Sequence, residues 1–173
     1  MKTQPPSLFP WIIGAVASIT MGCGSPEIPP QCAAVQNVPT SDRTIILGRL
    51  VAGAFTALEE GDSVDIIHGF QGGTWIMPAM QFTGCAPNGR IEVSLTLVDG
   101  PVIGRNNLSL RLNPQPNGSL LLEYLPVPAG LEPGSPPLSE IDGRRAALQS
   151  LFRDECENSI GTTKLIHLKV VQQ

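Results

Sequence analysis

Arg90-Ile91-Glu92-Val93-Ser94-Leu95-Thr96-Leu97-Val98 is the stretch on which the fold turns. Ile91, Val93, Leu95 and Leu97 face one way and Glu92, Ser94 and Thr96 the other, the period of two of a half-buried β-strand. Asn88-Gly89 before it supplies positive φ at little steric cost, and Asp99-Gly100-Pro101 ends it. Outward from this strand the same pattern recurs. Residues 107–112 carry Leu108, Leu110 and Leu112 on one face, and residues 119–127 carry Leu120, Leu122 and Tyr124, with a Pro/Asn/Gly hairpin loop at 113–118 between them. Upstream, 44–47, 63–67 and 74–83 read as strands. Pro78 restricts the last to an edge or a bulge, because it has no N–H to give to a ladder. Residues 50–58 suit either a helical turn or a strand. Residues 126–143, rich in Pro, Gly and Ser, read as a long exposed loop.

Residues 147–153 have helical propensity, but 164–171 alternates strongly, with Ile166, Leu168 and Val170 on one face. A polar segment separates the two, so they read as the arms of a terminal hairpin. Seven to eight short strands with recurrent turn signals predict an all-β chain, an immunoglobulin-like β-sandwich, with a closed barrel as the alternative.

Composition narrows the function classes. The chain has 173 residues, with 18 Gly and 17 Pro, which punctuate it too often for long helices. Its formal net charge of -4 gives no basic footprint for nucleic acid and no polybasic membrane anchor. G-x-S-x-G, H-E-x-x-H and G-x-x-x-x-G-K are all absent from the sequence. These readings predict a protein that is not an enzyme, has no cofactor and binds no nucleic acid.

The N-terminus carries Lys2 and then an apolar run over 8–21, short for a membrane span and suited to the core of an export signal. It ends in Ile19-Thr20-Met21-Gly22-Cys23. That ending resembles the lipobox of bacterial lipoproteins, although Thr20 departs from the usual Leu. The resemblance implies a signal peptide over 1–22, a diacylglyceryl group on Cys23, and an envelope location, with the outer membrane favoured because Gly24 follows the cysteine. Ala15-Val16-Ala17 leaves plain secretion as the alternative. Residues 23–42 hold Pro26, Pro29, Pro30 and Pro39 and read as an extended tether, leaving 43–173 as the β domain.

With Cys23 lipidated, Cys32, Cys85 and Cys156 remain for one disulfide in an oxidising compartment. Cys85 follows a strand and Cys156 sits in the terminal hairpin loop, so Cys85–Cys156 is the expected pair, with Cys32 able to join either.

The most distinctive segment is Ile67-His68-Gly69-Phe70-Gln71-Gly72-Gly73-Thr74-Trp75. It is similar to an HG-x-QGG turn of predicted lipoproteins of myxobacteria and their relatives, a kinship that implies no activity. One reading makes His68 a metal ligand, with Gln71 and Trp75 beside it in a ligand site, since imidazole suits late transition metals. The other makes the glycines a tight hairpin that His68 caps. The sequence therefore predicts an envelope-anchored, non-enzymatic binding or structural module contacting an envelope protein or glycan. A metal-binding lipoprotein using His68 is the alternative.

Overall fold

The computed structural model describes residues 29–69 and 72–171. The expected signal peptide, Cys23 and Gln71 lie outside the described residues. The described chain begins with helix α1 (Pro30–Gln36) and a 3-10 turn at Thr40–Asp42. The first strands are β1 (Thr44–Val51), β2 (Ala54–Ala57), β3 (Ser63–His68), β4 (Thr74–Ile76), β5 (Ala79–Thr83) and β6 (Asn88–Leu97). Then come β7 (Val102–Arg111), β8 (Asn113–Pro114), β9 (Leu120–Leu122) and β10 (Val127–Pro128). Helix α2 (Leu138–Ile141) precedes the terminal pair β11 (Arg145–Asp154) and β12 (Ser159–Val170).

The strands form two sheets, one of order β2-β1-β5-β9-β8 and one of order β10-β4-β3-β12-β11-β6-β7. The all-β sandwich expected from the alternation is therefore present. The strand number rises from seven or eight to twelve among the described residues, because β4, β8, β9 and β10 have only two or three residues each. Alternation over so few positions leaves no readable period.

Pro78 marks more than a bulge. Met77-Pro78 divides the expected 74–83 strand into β4 in the larger sheet and β5 in the smaller, so the chain changes sheets there. The ambiguous 50–58 stretch is a hairpin, with Ala52 (φ 50) and Gly53 (φ 81) at its tip. The strand reading of 147–153 holds: β11 pairs with β12 from Arg145↔His167 to Arg153↔Ser159, and with β6 on its other side.

The core lies between the sheets. Phe82 of β5 and Phe152 of β11, both fully buried, meet across it with ring centroids 5.1 Å apart and tilted by 60°, a favourable aromatic geometry. Ile91, Val93, Leu95 and Leu97 all point inward, as their alternation requires. The two edge strands of the larger sheet, β7 and β10, come together. Gly130 N–H donates to the Ile103 carbonyl at 2.8 Å, and Asn106 Nδ2 donates to the Pro126 carbonyl. This sheet curls until its edges touch, which covers strands that would otherwise present unpaired backbone to other chains.

Two further expectations need correction. Residues 126–143 are not an exposed loop, since Val127, Ala129 and Ile141 are fully buried beneath it. The stretch up to residue 42 is not wholly a tether. Pro30 at the first helical position suits a helix start, Cys32 is buried, and Arg43 Nη2 donates to the Val35 carbonyl at the helix end at 3.1 Å. The packed domain thus starts before residue 43.

Candidate functional site

Asp154 organises one end of the sandwich. Its carboxylate, 2% exposed, accepts from the backbone N–H groups of Ala86, Cys156 and Asn158, each at 2.9 Å, and from Asn158 Nδ2 at 3.0 Å. These bonds shape the β11–β12 turn and pin the loop after β5 to it. Asn158 Oδ1 in turn accepts from Arg43 Nη1. Helix α1 sits over this turn and delivers the cysteine that pairs with Cys156. The disulfide is Cys32–Cys156, with Cα atoms 5.4 Å apart, not the expected Cys85–Cys156. Sequence spacing could not reveal that α1 folds back onto the terminal turn. The bridge spans 124 residues, for which loop-closure entropy predicts roughly 4–5 kcal/mol.

Cys85 is free and 7% exposed, below the same turn. Burial first, and the Asp154 carboxylate second, push its thiol above the ordinary 9.0 to about 12, against an opposing pull from Arg43. The folded thiol therefore keeps its proton where the unfolded one loses it, so stability is unaffected below pH about 9 and falls between pH about 9 and about 12. A Cys85→Ala variant should lose that alkaline slope in pH-dependent urea denaturation. The native thiol should resist a thiol reagent at pH about 8 and react once urea is added. An unchanged slope, or rapid native labelling, would refute this account.

His68 closes β3 and pairs with Thr74 of β4. Gly69 N–H donates to the Gly73 carbonyl at 2.8 Å, and Gly72 N–H to the Gly69 carbonyl at 3.0 Å, so these three glycines are drawn together between β3 and β4. The Trp75 ring packs directly against Gly69 and Gly73. A Cβ on Gly69 would lie 2.1 Å from the indole, and one on Gly73 2.3 Å from it. Trp75 is half-buried beside these glycines. His167 lies on β12, in register with Ser63, whereas Ile66 faces Val170. Five strand positions separate Ser63 from His68, so the two histidines stand on the order of 16 Å apart and cannot share one ion. Among the described residues, no group of three His, Cys, Asp or Glu side chains is placed to hold a metal.

A broad surface depression lies elsewhere, on the outer face of the larger sheet. It is an open groove of about 770 Å³ crossing β7, β6, β11 and β12, within the range of small-molecule sites. Register explains its lining. Asn107, Glu92, Leu151 and Gly161 form one row across the four strands, and Arg105, Ser94, Gln149 and Thr163 form the next. Ser94 Oγ donates to Gln149 Oε1 at 3.3 Å, and Arg90 Nε donates to Asn107 Oδ1 at 2.6 Å, which holds these side chains in place. A smaller cleft of about 140 Å³ adjoins it, lined by Arg90, Glu92, Leu151 and Arg153. Sequence reading had put Glu92 and Ser94 on the polar face of their strand. It could not see which residues of β7, β11 and β12 stand beside them, because lateral strand order leaves no trace in local periodicity.

No family model matches the sequence, and no curated protein matches it. Among solved structures, that of murine CRIg aligns with 67% of this chain and 98% of its own, at 12% identity and a TM-score of 0.33. Nothing about this chain's ligand or activity follows from that likeness.

Proposed function

We propose that this chain is an envelope-anchored lipoprotein whose β-sandwich is a non-enzymatic binding module, with the outer groove of the larger sheet as its ligand surface. The observation that carries the proposal is the groove itself. Rigid paired strands position its hydrogen-bonding side chains, and Leu151 gives it one exposed apolar contact, 44% exposed. Polar groups on a sheet are held more firmly than on loops, which lowers the ordering cost of binding. The lipobox-like ending at Cys23 stands nine residues before Cys32, the residue that clamps the chain to the domain. An acyl group at Cys23 would hold the groove close to a membrane.

Two measurements test this reading. Intact mass of the protein from its native membrane fraction should match a chain starting at an acylated Cys23, and that species should vanish in Cys23→Ala. A non-acylated mass would remove the anchor. For the groove, Gly161→Tyr is a filling variant. A Cβ there meets only Ser150 O at 3.6 Å and a Leu151 methyl at 3.7 Å, so the strand accommodates it. The variant should melt like wild type and lose co-sedimentation with purified envelope material. Undiminished co-sedimentation would remove the groove from the binding role.

A further inference from the structure

The outer face that carries the groove is basic, although the chain as a whole is acidic. Register places Arg90, Arg105, Arg111 and Arg153 on this side, with Arg145 further along β11, and all five are exposed. Glu92 is the acidic side chain set among them, and Glu155 stands at the far end, bonded to Asn88 Nδ2 at 3.0 Å. The formal net charge of the chain is -4, so this concentration of arginine is local.

Two of these arginines are placed at a cost. Arg90 and Arg153 are direct cross-strand partners on one face of β6 and β11, and like charges directly opposite each other destabilise a sheet. Arg90 is held by Asn107 and lies 3.9 Å from Glu92. Among the described residues, no carboxylate lies within salt-bridge distance of Arg153 or Arg105. The cleft of about 140 Å³ opens between Arg90 and Arg153 and leads into the groove. A bound anion would relieve that repulsion, and guanidinium groups recognise carboxylates through paired hydrogen bonds.

We infer that the groove binds an acidic polysaccharide, its carboxylates taken by Arg90, Arg153 and Arg105 and its hydroxyls by Ser94, Asn107, Gln149 and Thr163. The inference rests on the groove being the ligand surface. Row spacing supports an extended ligand: Arg105 faces Ser94, four positions along β6 from Arg90, or roughly 13 Å of track. The lining favours a glycan over a protein or a nucleic acid. Protein interfaces centre on Trp, Tyr and Arg anchors in well-packed, desolvated pockets, whereas these arginines are exposed on an open face. Single-stranded nucleic acids stack on aromatic rings. The groove lining has no aromatic residue, whereas hydroxyl and amide side chains abound there.

The test titrates the full chain, in detergent, with polygalacturonate, neutral dextran, poly-glutamate and duplex DNA. Polygalacturonate should bind, dextran should not, and binding should weaken as salt rises. Arg90→Gln/Arg153→Gln should weaken it by about tenfold or more and Arg105→Gln by about threefold, while Arg49→Gln, on the other sheet, should change it less than about twofold. The double variant should also melt no lower than wild type, because it removes a like-charge pair. Absence of polygalacturonate binding overturns the inference, as does equal affinity for poly-glutamate or DNA, or indifference to the arginine variants. If envelope binding still depends on Gly161 while polygalacturonate fails, only the ligand class falls. If both fail, the groove is not a binding surface.

Discussion

Asp154→Ala is expected to destabilise the domain by about 3–5 kcal/mol, a fall in Tm of roughly 10–20 °C for a domain of this size. The carboxylate closes four hydrogen bonds at a site 2% exposed. Three of the donors are backbone N–H groups, of Ala86, Cys156 and Asn158, which cannot turn to find other partners. Truncation leaves the buried N–H of Ala86 and the partly buried N–H groups of Cys156 and Asn158 without this acceptor, and an unmade buried hydrogen bond costs more than a made one contributes. The damage would spread because the same turn carries Cys156 and receives α1 through the disulfide. Asp154→Asn keeps the shape and one acceptor oxygen and should lose about half as much. Urea denaturation followed by circular dichroism, with the disulfide intact, gives both values. A loss below about 1 kcal/mol for Asp154→Ala would mean that the turn is held by something else.

Gly104→Ala is the second large effect expected, about 3 kcal/mol or more, with Tm lower by roughly 10 °C. No unusual φ is involved. The reason is that the edges of the larger sheet meet at this residue. A Cβ on Gly104 would lie 1.7 Å from the Pro128 carbonyl oxygen and 2.8 Å from its carbon, both backbone atoms. A flexible side chain could move aside, but here β10 itself must retreat. That retreat would strain the Gly130 N–H bond to Ile103 at 2.8 Å and open the closed edge. The register slips between Leu95 and Thr96, where Gly104 pairs with Leu95, so the strand is already bulged at this point. Gly161→Ala is the contrasting control, since its Cβ finds only ordinary contacts, and it should change stability by less than about 0.5 kcal/mol. Thermal melts of the two variants side by side would decide the matter. Equal melting temperatures would show that the edge contact is soft.

The alternation of β6 predicted its inward face residue by residue, and Ile91, Val93, Leu95 and Leu97 are all in the core. The terminal hairpin was legible for the same reason, despite helical propensity over 147–153, because strand period is a local property of side chains in sequence. The approach of Gly69 to Gly72 and Gly73 after His68 was likewise legible from the glycines. The packing of the Trp75 ring against Gly69 and Gly73 was not, since close approach of a ring to backbone is a distance in space. The Cys32–Cys156 bond was misjudged for a related reason. The prolines suggested extended chain, while Pro30 at a helix start and burial of Cys32 turned the segment onto a hairpin 124 residues away.

By itself the amino-acid sequence determined the class of fold and the inward faces of β6, β7 and β12, because these depend on neighbours two positions apart. Asn88-Gly89, by contrast, expected as a turn with positive φ, lies inside β6, and Gly89 pairs with Asp154 and Leu110. Only the tertiary structure decided which strands lie side by side, that Pro78 passes the chain from one sheet to the other, and that β7 meets β10. The groove and its arginines belong to this second set. Arg90 and Arg153 lie far apart in the chain and become neighbours when β6 pairs with β11. That pairing is chosen by burial of the opposite, apolar face, with which the arginines have no contact.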